Sequence, residues 1–454
     1  MHIGRYEIRG LLGRGGMGAV YKAAMPVTGR IVALKVLKAA EIMEDLVGEE
    51  ALREMFFKEA AAMASISHAN VAAILDVDQG GEDSPPHFTM EYYCGNLGVL
   101  MGETYEVEKP SRRLGVEASL HVAREMLSGL DRLHYEGIVH RDVKPFNVML
   151  AEDEGGTGTV KLIDFGLSKL RGETPVRHKG MVVGSPYYTA PEQEADPDAA
   201  DARSDIFSVG VTLFRMLTGM LPGEGAKRRS VCDIHGDLDC GWDDFFDRAL
   251  APAPADRFSD AMDMIKAVDR LEADWRAKKD ATCSAADLLF EPERHAPDWR
   301  PRSEPIKVNS KSARAYFDLD ELWRPNEYGF ARFEDRGDGV VRDTVTGLAW
   351  EKFGSRYPLT WERAHAHVAR LNRNGYAGRS DWRLPTVDEL TTLFTGRTEP
   401  GEFCMEPAFD PRKSRLWSAD AKAFTAAWYA DAELGFVWWQ DRTCRFFARA
   451  VCGA

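Results

Sequence analysis

The segment HRDVKPFN, residues 140–147, gathers several chemically useful side chains within eight positions of a 454-residue chain. Its spacing places a carboxylate (Asp142), a cation (Lys144) and a carboxamide (Asn147) on one loop, before the strand-like run VML. A carboxylate in such a place serves as a base, an ammonium offsets developing negative charge, and an amide oxygen ligates a hard cation. KLIDFG follows, with Asp164 seventeen positions beyond Asn147. Upstream, VALK (32–35) puts Lys35 on a strand, and Glu59 lies inside the helical stretch FFKEAAAMASISHANVAAIL. A strand lysine is ordinarily a solvated edge charge; a carboxylate partner on a helix gives it a fixed position, where an ammonium can meet phosphates. GRGGMGAV (13–20) carries glycines 13, 15 and 18. Glycine triplets also build dinucleotide sites and ordinary turns, but a dinucleotide site needs a helix directly after them, whereas AVYKAAM reads as a second strand. A glycine-rich hairpin offers backbone N–H groups to phosphates at a distance that side chains would block.

The elements that must position these groups are legible from periodicity. Residues 1–90 alternate short apolar runs with glycines, as a sheet of hairpins does, with one helix from about Ala51 to Ile66. From about residue 116 the pattern turns helical: VEASLHVAREMLSGLDRLH has apolar residues at three- and four-residue steps. SDIFSVGVTLFRMLTG is a second strong helix, closed by Gly219 with Pro222 soon after. Residues 276–315, rich in proline and charge, read as a linker. Beyond 316 the chain is aromatic-rich; Thr386 and Glu389 in LPTVDEL form a capping box, and GFVWWQ and CRFFARAVC read as a terminal hairpin. Two domains joined by a tether follow, with boundaries 1–275, 276–315 and 316–454.

Composition excludes several classes. Hydrophobic residues at 44 % and charged residues at 29 % mark globular protein rather than disorder. A net charge of -14 repels phosphate backbones and argues against nucleic-acid binding. No apolar run reaches the roughly 18–20 residues of a membrane span, and the start has no apolar signal core, so a soluble cytoplasmic protein without membrane insertion is expected. Seven scattered cysteines without a CxxC pair suit free thiols.

Taken with APE at 190–192, Asp205 and Arg257, these motifs make residues 1–275 resemble the bacterial Hanks-type (eukaryotic-like) serine/threonine protein kinases. The resemblance implies an α+β bilobal kinase fold that uses ATP and Mg²⁺, with Mn²⁺ as an alternative, on protein substrates. It implies that Asp142 orients the substrate hydroxyl, Lys144 steadies the transferring phosphoryl group, and Lys35 with Glu59 positions ATP. Asn147 and Asp164 would hold the metal. Leu12, Gly13, Gly15, Gly16, Gly18, Val20, Ala33, Lys35, Glu91, Cys94 and Met149 would line the nucleotide site, with Met90 guarding the back pocket. Met63, Ile74, His140 and Phe165 would form the spine, and Glu192 with Arg257 a structural pair. Ser185 stands where threonine is usual. Phe146 stands where many kinases carry glutamate, which removes a carboxylate that selects basic substrates. Thr174 is the candidate activating phosphosite. One alternative is a pseudokinase scaffold, against which the complete set Lys35, Asp142, Asn147 and Asp164 argues; the other is a ligand-binding C-terminal module to which the kinase is subordinate.

Residues 333–454, with GLAWE, SDWRLPT and the final RAVC, resemble a bacterial family with the C-type-lectin-like fold, related in fold to the formylglycine-generating enzyme. The resemblance implies a module for an unknown ligand or partner rather than an activity. His365 and His367, two apart on a helix, point to different faces and cannot share a metal directly. Adjacent Trp438 and Trp439 point to opposite faces, one to the core and one to a candidate binding surface.

Overall fold

The structure, a computed structural model, describes residues 1–15, 18–38, 48–81, 84–104, 108–151, 158–164, 186–196, 199–223, 229–236, 238–282, 300–328, 331–335, 337–394, 404–405 and 408–453. Gly16, Phe165, Thr174, Ser185 and Cys283 lie outside them. The chain divides into two compact units, one drawn from most of residues 1–281 and the other chiefly from 282–454.

The first unit begins with β1 (His2–Ile3), β2 (Tyr6–Gly15), β3 (Gly18–Ala24) and β4 (Ile31–Leu37). With β5 (Ile74–Asp78) and β6 (His87–Glu91) they form an antiparallel sheet in the order β1-β2-β3-β4-β6-β5. Alternation along the strands sends Tyr6, Ala23, Val32, Leu34 and Val36 to a common core. Between β4 and β5 lies α1 (Glu49–Ala64), which buries Leu52, Phe56, Glu59, Ala60 and Met63 at helical spacing. Phe56 meets Phe88 of β6 at 5.0 Å between ring centroids, tying the helix to the sheet. Each such apolar side chain contributes about 1.5–3 kcal/mol on burial.

After β6 come β7 (Gly95–Asn96), α2 (Leu97–Met101) and α3 (Val116–Tyr135). Strands β8 (Val148–Ala151) and β9 (Thr159–Leu162) complete the small sheet β7-β8-β9. The helices α4 (Pro191–Ala195), α5 (Ala202–Thr218), α6 (Val231–Ile234), α7 (Cys240–Ala249) and α8 (Ala261–Thr282) follow. At the start of α5, Asp201 and Ser204 form a capping box; at its end Gly219 adopts φ 72°, so the expected glycine stop is realised.

In the second unit, α9 (Ser310–Tyr316) precedes β10 (Phe333–Asp335), β11 (Val340–Asp343) and β12 (Leu348–Glu351). Helices α10 (Trp361–Arg373) and α11 (Val387–Thr391) then lead to β13 (Arg415–Ala421), β14 (Ala426–Asp431), β15 (Phe436–Asp441) and β16 (Val451–Gly453). Two antiparallel sheets result, β10-β11-β12-β16 and β13-β14-β15. The capping box at α11 is present, with Thr386 and Glu389 bonding reciprocally.

One expectation needs correction. GFVWWQ and CRFFARAVC do not pair: β15 pairs with β14 instead, whereas β16 crosses to β12 in the other sheet. Phe447 bridges to Leu416 on the way, so the segment spans both sheets rather than folding back on one. The expectation of free thiols holds for Cys232, Cys240 and Cys452. In the span 276–315, α8 continues to Thr282, while Lys307 bridges to Ala421 and the Val308 and Ala313 side chains join the second unit's core.

Candidate functional site

Two clusters of polar residues meet where the large sheet gives way to the helical part. In the first, the Lys35 ammonium donates to Glu59 Oε1 at 2.7 Å and to Asp164 Oδ1 at 3.0 Å. Burial by itself lowers a lysine's affinity for its proton; here the Asp164 and Glu59 carboxylates outweigh it and raise the Lys35 pKa above its ordinary value. The ammonium therefore stays charged. Burial raises the Glu59 carboxyl, opposed by Lys35. β4 and α1 position this pair from residues 24 apart, and Asp164 arrives from beyond β9.

In the second cluster, Lys144 Nζ donates to Asp142 Oδ2 at 2.8 Å. The Asn147 amide nitrogen donates to the Asp142 carbonyl at 2.8 Å and to its Oδ2 at 3.0 Å, which turns the Asn147 amide oxygen to the opposite side. The loop carrying them is strained, since Arg141 has φ 64°. Buried Asp205 of α5 holds it by accepting from the backbone N–H groups of His140 and Arg141, both at 2.8 Å, while His134 bonds the same carboxylate. His140 is wholly buried, and burial lowers its pKa, so its ring is neutral and Nδ1 accepts from the Asp142 N–H at 3.3 Å. Sequence reasoning missed Gln193, whose side chain donates to the Arg141 carbonyl at 2.7 Å; no motif announced it.

The two clusters are coupled through the backbone. Ile163 N donates to Asn147 O at 3.1 Å, and β8 and β9 pair Val148 with Leu162. Asp164, at φ 53°, sits at the end of this ladder.

The glycine-rich run forms the β2–β3 hairpin, pairing Gly13 with Val20 and Gly15 with Gly18. Gly18 has a structural reason: a Cβ there would lie 2.1 Å from the Val36 carbonyl of β4. Around Gly13 a Cβ would meet nothing within 4 Å, and Leu12 is exposed. Val20 pairs with Lys35 and Ala33 with buried Met90, while Met149 pairs with Asn96 in the small sheet. Glu91 ends β6, and Tyr93 donates to its carboxylate at 2.8 Å, so the segment that leaves the strand toward Cys94 is braced. Met63 and His140 are buried, and Ile74 half-buried. Arg257 grips Glu192 through two bonds of 2.7 Å, and Ser204 adds a third at 2.6 Å.

In the second unit, the two histidines take separate roles. His367 bonds both Glu351 oxygens at 3.0 and 3.1 Å, whereas His365 lies against Trp361. Among the described residues no group of three or more His, Cys, Asp or Glu side chains is arranged to hold a metal. Trp438 and Trp439 are both half-buried; Trp438 packs on Trp323, and Trp439 packs against a core containing Trp428 and Val437.

A strand lysine paired to a helix carboxylate, a loop carrying Asp142 braced from below and a carboxylate at a strand end form one linked set of polar groups. The protein kinase domain family matches residues 6–268, more than half of the chain, and the chain belongs to that family. The Lcl C-terminal domain family matches residues 339–452. Serine/threonine-protein kinase PksC of Streptomyces coelicolor is 35 % identical over 291 residues, covering 60 % of this chain and 50 % of that one. The DNA damage-responsive serine/threonine-protein kinase RqkA of Deinococcus radiodurans is 37 % identical over 235 residues, covering 51 % and 32 %. The PknI kinase domain of Mycobacterium tuberculosis superposes with a TM-score of 0.45 at 25 % identity, covering 60 % of this chain and 98 % of that one. The chain spans half or less of the length of the curated relatives it matches. Among the described residues no helix is long and apolar enough to cross a membrane.

Proposed function

We propose that the chain transfers the γ-phosphoryl group of ATP to serine or threonine hydroxyls of protein substrates. The observation that carries this is the linked set Lys35–Glu59–Asp164 and Asp142–Lys144–Asn147 in one unit. Asp142 accepts or orients the hydroxyl proton, and Lys144, bonded to it, offsets charge on the phosphoryl group. Lys35, kept charged by two carboxylates, meets the α- and β-phosphates. Leu12, Gly13, Gly15, Gly16 and Gly18 cover the nucleotide; Val20, Ala33 and Met149 sandwich adenine, and the backbone from Glu91 to Cys94 meets its edge.

The donors at Asn147 and Asp164 fit a divalent cation: an amide oxygen turned away from Asp142 and a part-exposed carboxylate are the hard oxygen ligands that Mg²⁺ or Mn²⁺ prefers. When bound, such an ion neutralises phosphate charge. The serine/threonine preference is supported by Lys144 and by the relatives' names.

The test is transfer of label from ATP to a generic acceptor, with Asp142→Asn as control. A fall of about 10²–10⁴-fold in the variant is expected. Equal labelling by both proteins would leave a nucleotide-binding scaffold as the reading.

We further propose that the second unit is a C-type-lectin-like recognition module and that the protein works in the cytoplasm. Exposed Phe353 and Tyr357, beside Lys352 and Arg356, support a partner-binding surface. Replacing both aromatics by serine should change which lysate proteins are phosphorylated while peptide phosphorylation stays the same. An unchanged lysate pattern would refute the assignment of that surface.

A further inference from the structure

Away from the cleft, two free thiols lie side by side. Cys232, on α6, and Cys240, the first residue of α7, have Sγ atoms 3.8 Å apart. Cys240 is exposed and Cys232 half-buried. The segment around Cys232 is anchored to α7 through Asp243. That carboxylate accepts from Ser230 Oγ at 2.7 Å, from Val231 N at 2.7 Å and from Cys232 Sγ at 3.0 Å. The sulfurs are thus brought together by three bonds that do not involve Cys240. A disulfide needs an S–S separation near 2.05 Å. The remaining closure, about 1.8 Å, is within reach of a side-chain rotation at exposed Cys240.

The two thiols differ in environment. Cys240, the first residue of α7, is the exposed sulfur and the one a small oxidant in solvent reaches first. Hydrogen bonding to the Asp243 carboxylate raises the Cys232 thiol and keeps it protonated. Cys240 is therefore the attacking sulfur and Cys232 the resolving one.

We propose that Cys232 and Cys240 form a peroxide-responsive dithiol site. The Cys240 thiolate attacks one oxygen of hydrogen peroxide; the O–O bond breaks, and the departing hydroxide takes a proton and leaves as water. Cys240 becomes a sulfenic acid. Cys232 sulfur then attacks the Cys240 sulfur, forming the S–S bond, and the displaced hydroxyl leaves with the Cys232 proton as a second water. Two thiols lose two hydrogens in total, and one peroxide becomes two waters. A small dithiol such as dithiothreitol reverses the bond by exchange.

The sequence provides a direct assay. Arg229 and Arg248 flank both cysteines with no Lys or Arg between, so trypsin releases residues 230–248 as one peptide. The full-length chain is treated with hydrogen peroxide, alkylated and digested without reduction. The expected result is this peptide two hydrogens lighter than its dithiol form, unalkylated, and restored by dithiothreitol. In Cys232→Ser, dimedone should trap a sulfenic acid at Cys240; in Cys240→Ser, Cys232 should remain alkylatable. Recovery of the wild-type peptide with both cysteines alkylated, or with either joined to another cysteine, would overturn the proposal. The wild-type result does not depend on either variant folding.

Discussion

Asp164 and Asp420 are aspartates that each face a cation, and the two units hold them in opposite ways. Asp164 engages Lys35 through Oδ1, and its side chain is 39 % exposed. Asp420 has no exposure. Its Oδ1 accepts from Arg302 and the Ile306 N–H, and its Oδ2 from Arg302 and the Val387 N–H, at 2.7–3.0 Å. The pattern extends across the second unit. Glu351 is closed by His367 and the Ala450 N–H, and Glu389 by Arg383 and the Thr386 N–H. In the first unit the carboxylates that look structural, Asp205 and Glu192, support a loop and a helix, while Asp142 and Asp164 keep part of their surface toward the cleft. A carboxylate whose lone pairs are all taken by protein donors has been committed to folding. One with a single partner and an open side remains available to a substrate or metal.

This contrast can be broken by experiment, beginning where the expected effect is largest. Asp164→Ala should reduce phosphoryl transfer on the order of 10³-fold, the several kcal/mol that a metal at the phosphates supplies, while thermal unfolding barely moves. A large loss of thermal stability with Asp164→Ala would instead place this carboxylate among the structural ones. Asp420→Ala should do the reverse. Leaving Arg302 without its buried partner should destabilise the second unit by about 3–5 kcal/mol, measured by denaturant unfolding, with little change in peptide phosphorylation by the protein that remains folded.

Glu192→Gln sharpens the comparison inside the first unit. Replacing the charge-assisted bonds to Arg257 should cost about 1.5–3 kcal/mol at neutral pH. Burial alone would raise the Glu192 pKa, but bonds from Arg257 and Ser204 bring it below the ordinary carboxylate value of 4.5. A depressed folded-state pKa stabilises fully above the unfolded value and is lost as pH falls through the folded one. The stability gap between wild type and Glu192→Gln should therefore shrink below about pH 4.5. A gap that stays constant into acid would show that Glu192 acts through packing rather than charge.

The glycine at position 18 shows how motif and structure divide the explanation. Its place in the glycine triplet suggested approach to phosphates, yet its missing side chain is demanded by the Val36 carbonyl 2.1 Å from where a Cβ would stand. Phe146 shows a similar shift: the substitution for a carboxylate was legible, but only the structure shows its ring packed against Gly98, where an added Cβ would lie 2.8 Å from it.

From the sequence alone came the candidate site residues, the hairpin strands and three helices (α1, α3 and α5) of the first unit, the glycine that stops α5 and the capping box of α11. These depend on residues close in the chain, whose spacing already sets which face or loop they share. Tertiary structure decided the rest. Arg302 and Asp420 are 118 positions apart, so no local pattern could pair them. The strand alternation around residues 436–452 was legible, but the choice of partner strand was not, because alternation specifies a buried face without saying which edge covers it. Cys232 and Cys240, eight positions apart, were legible only as scattered thiols. Asp243 brings them together, and nothing in their spacing announces that a carboxylate one helix away will do so.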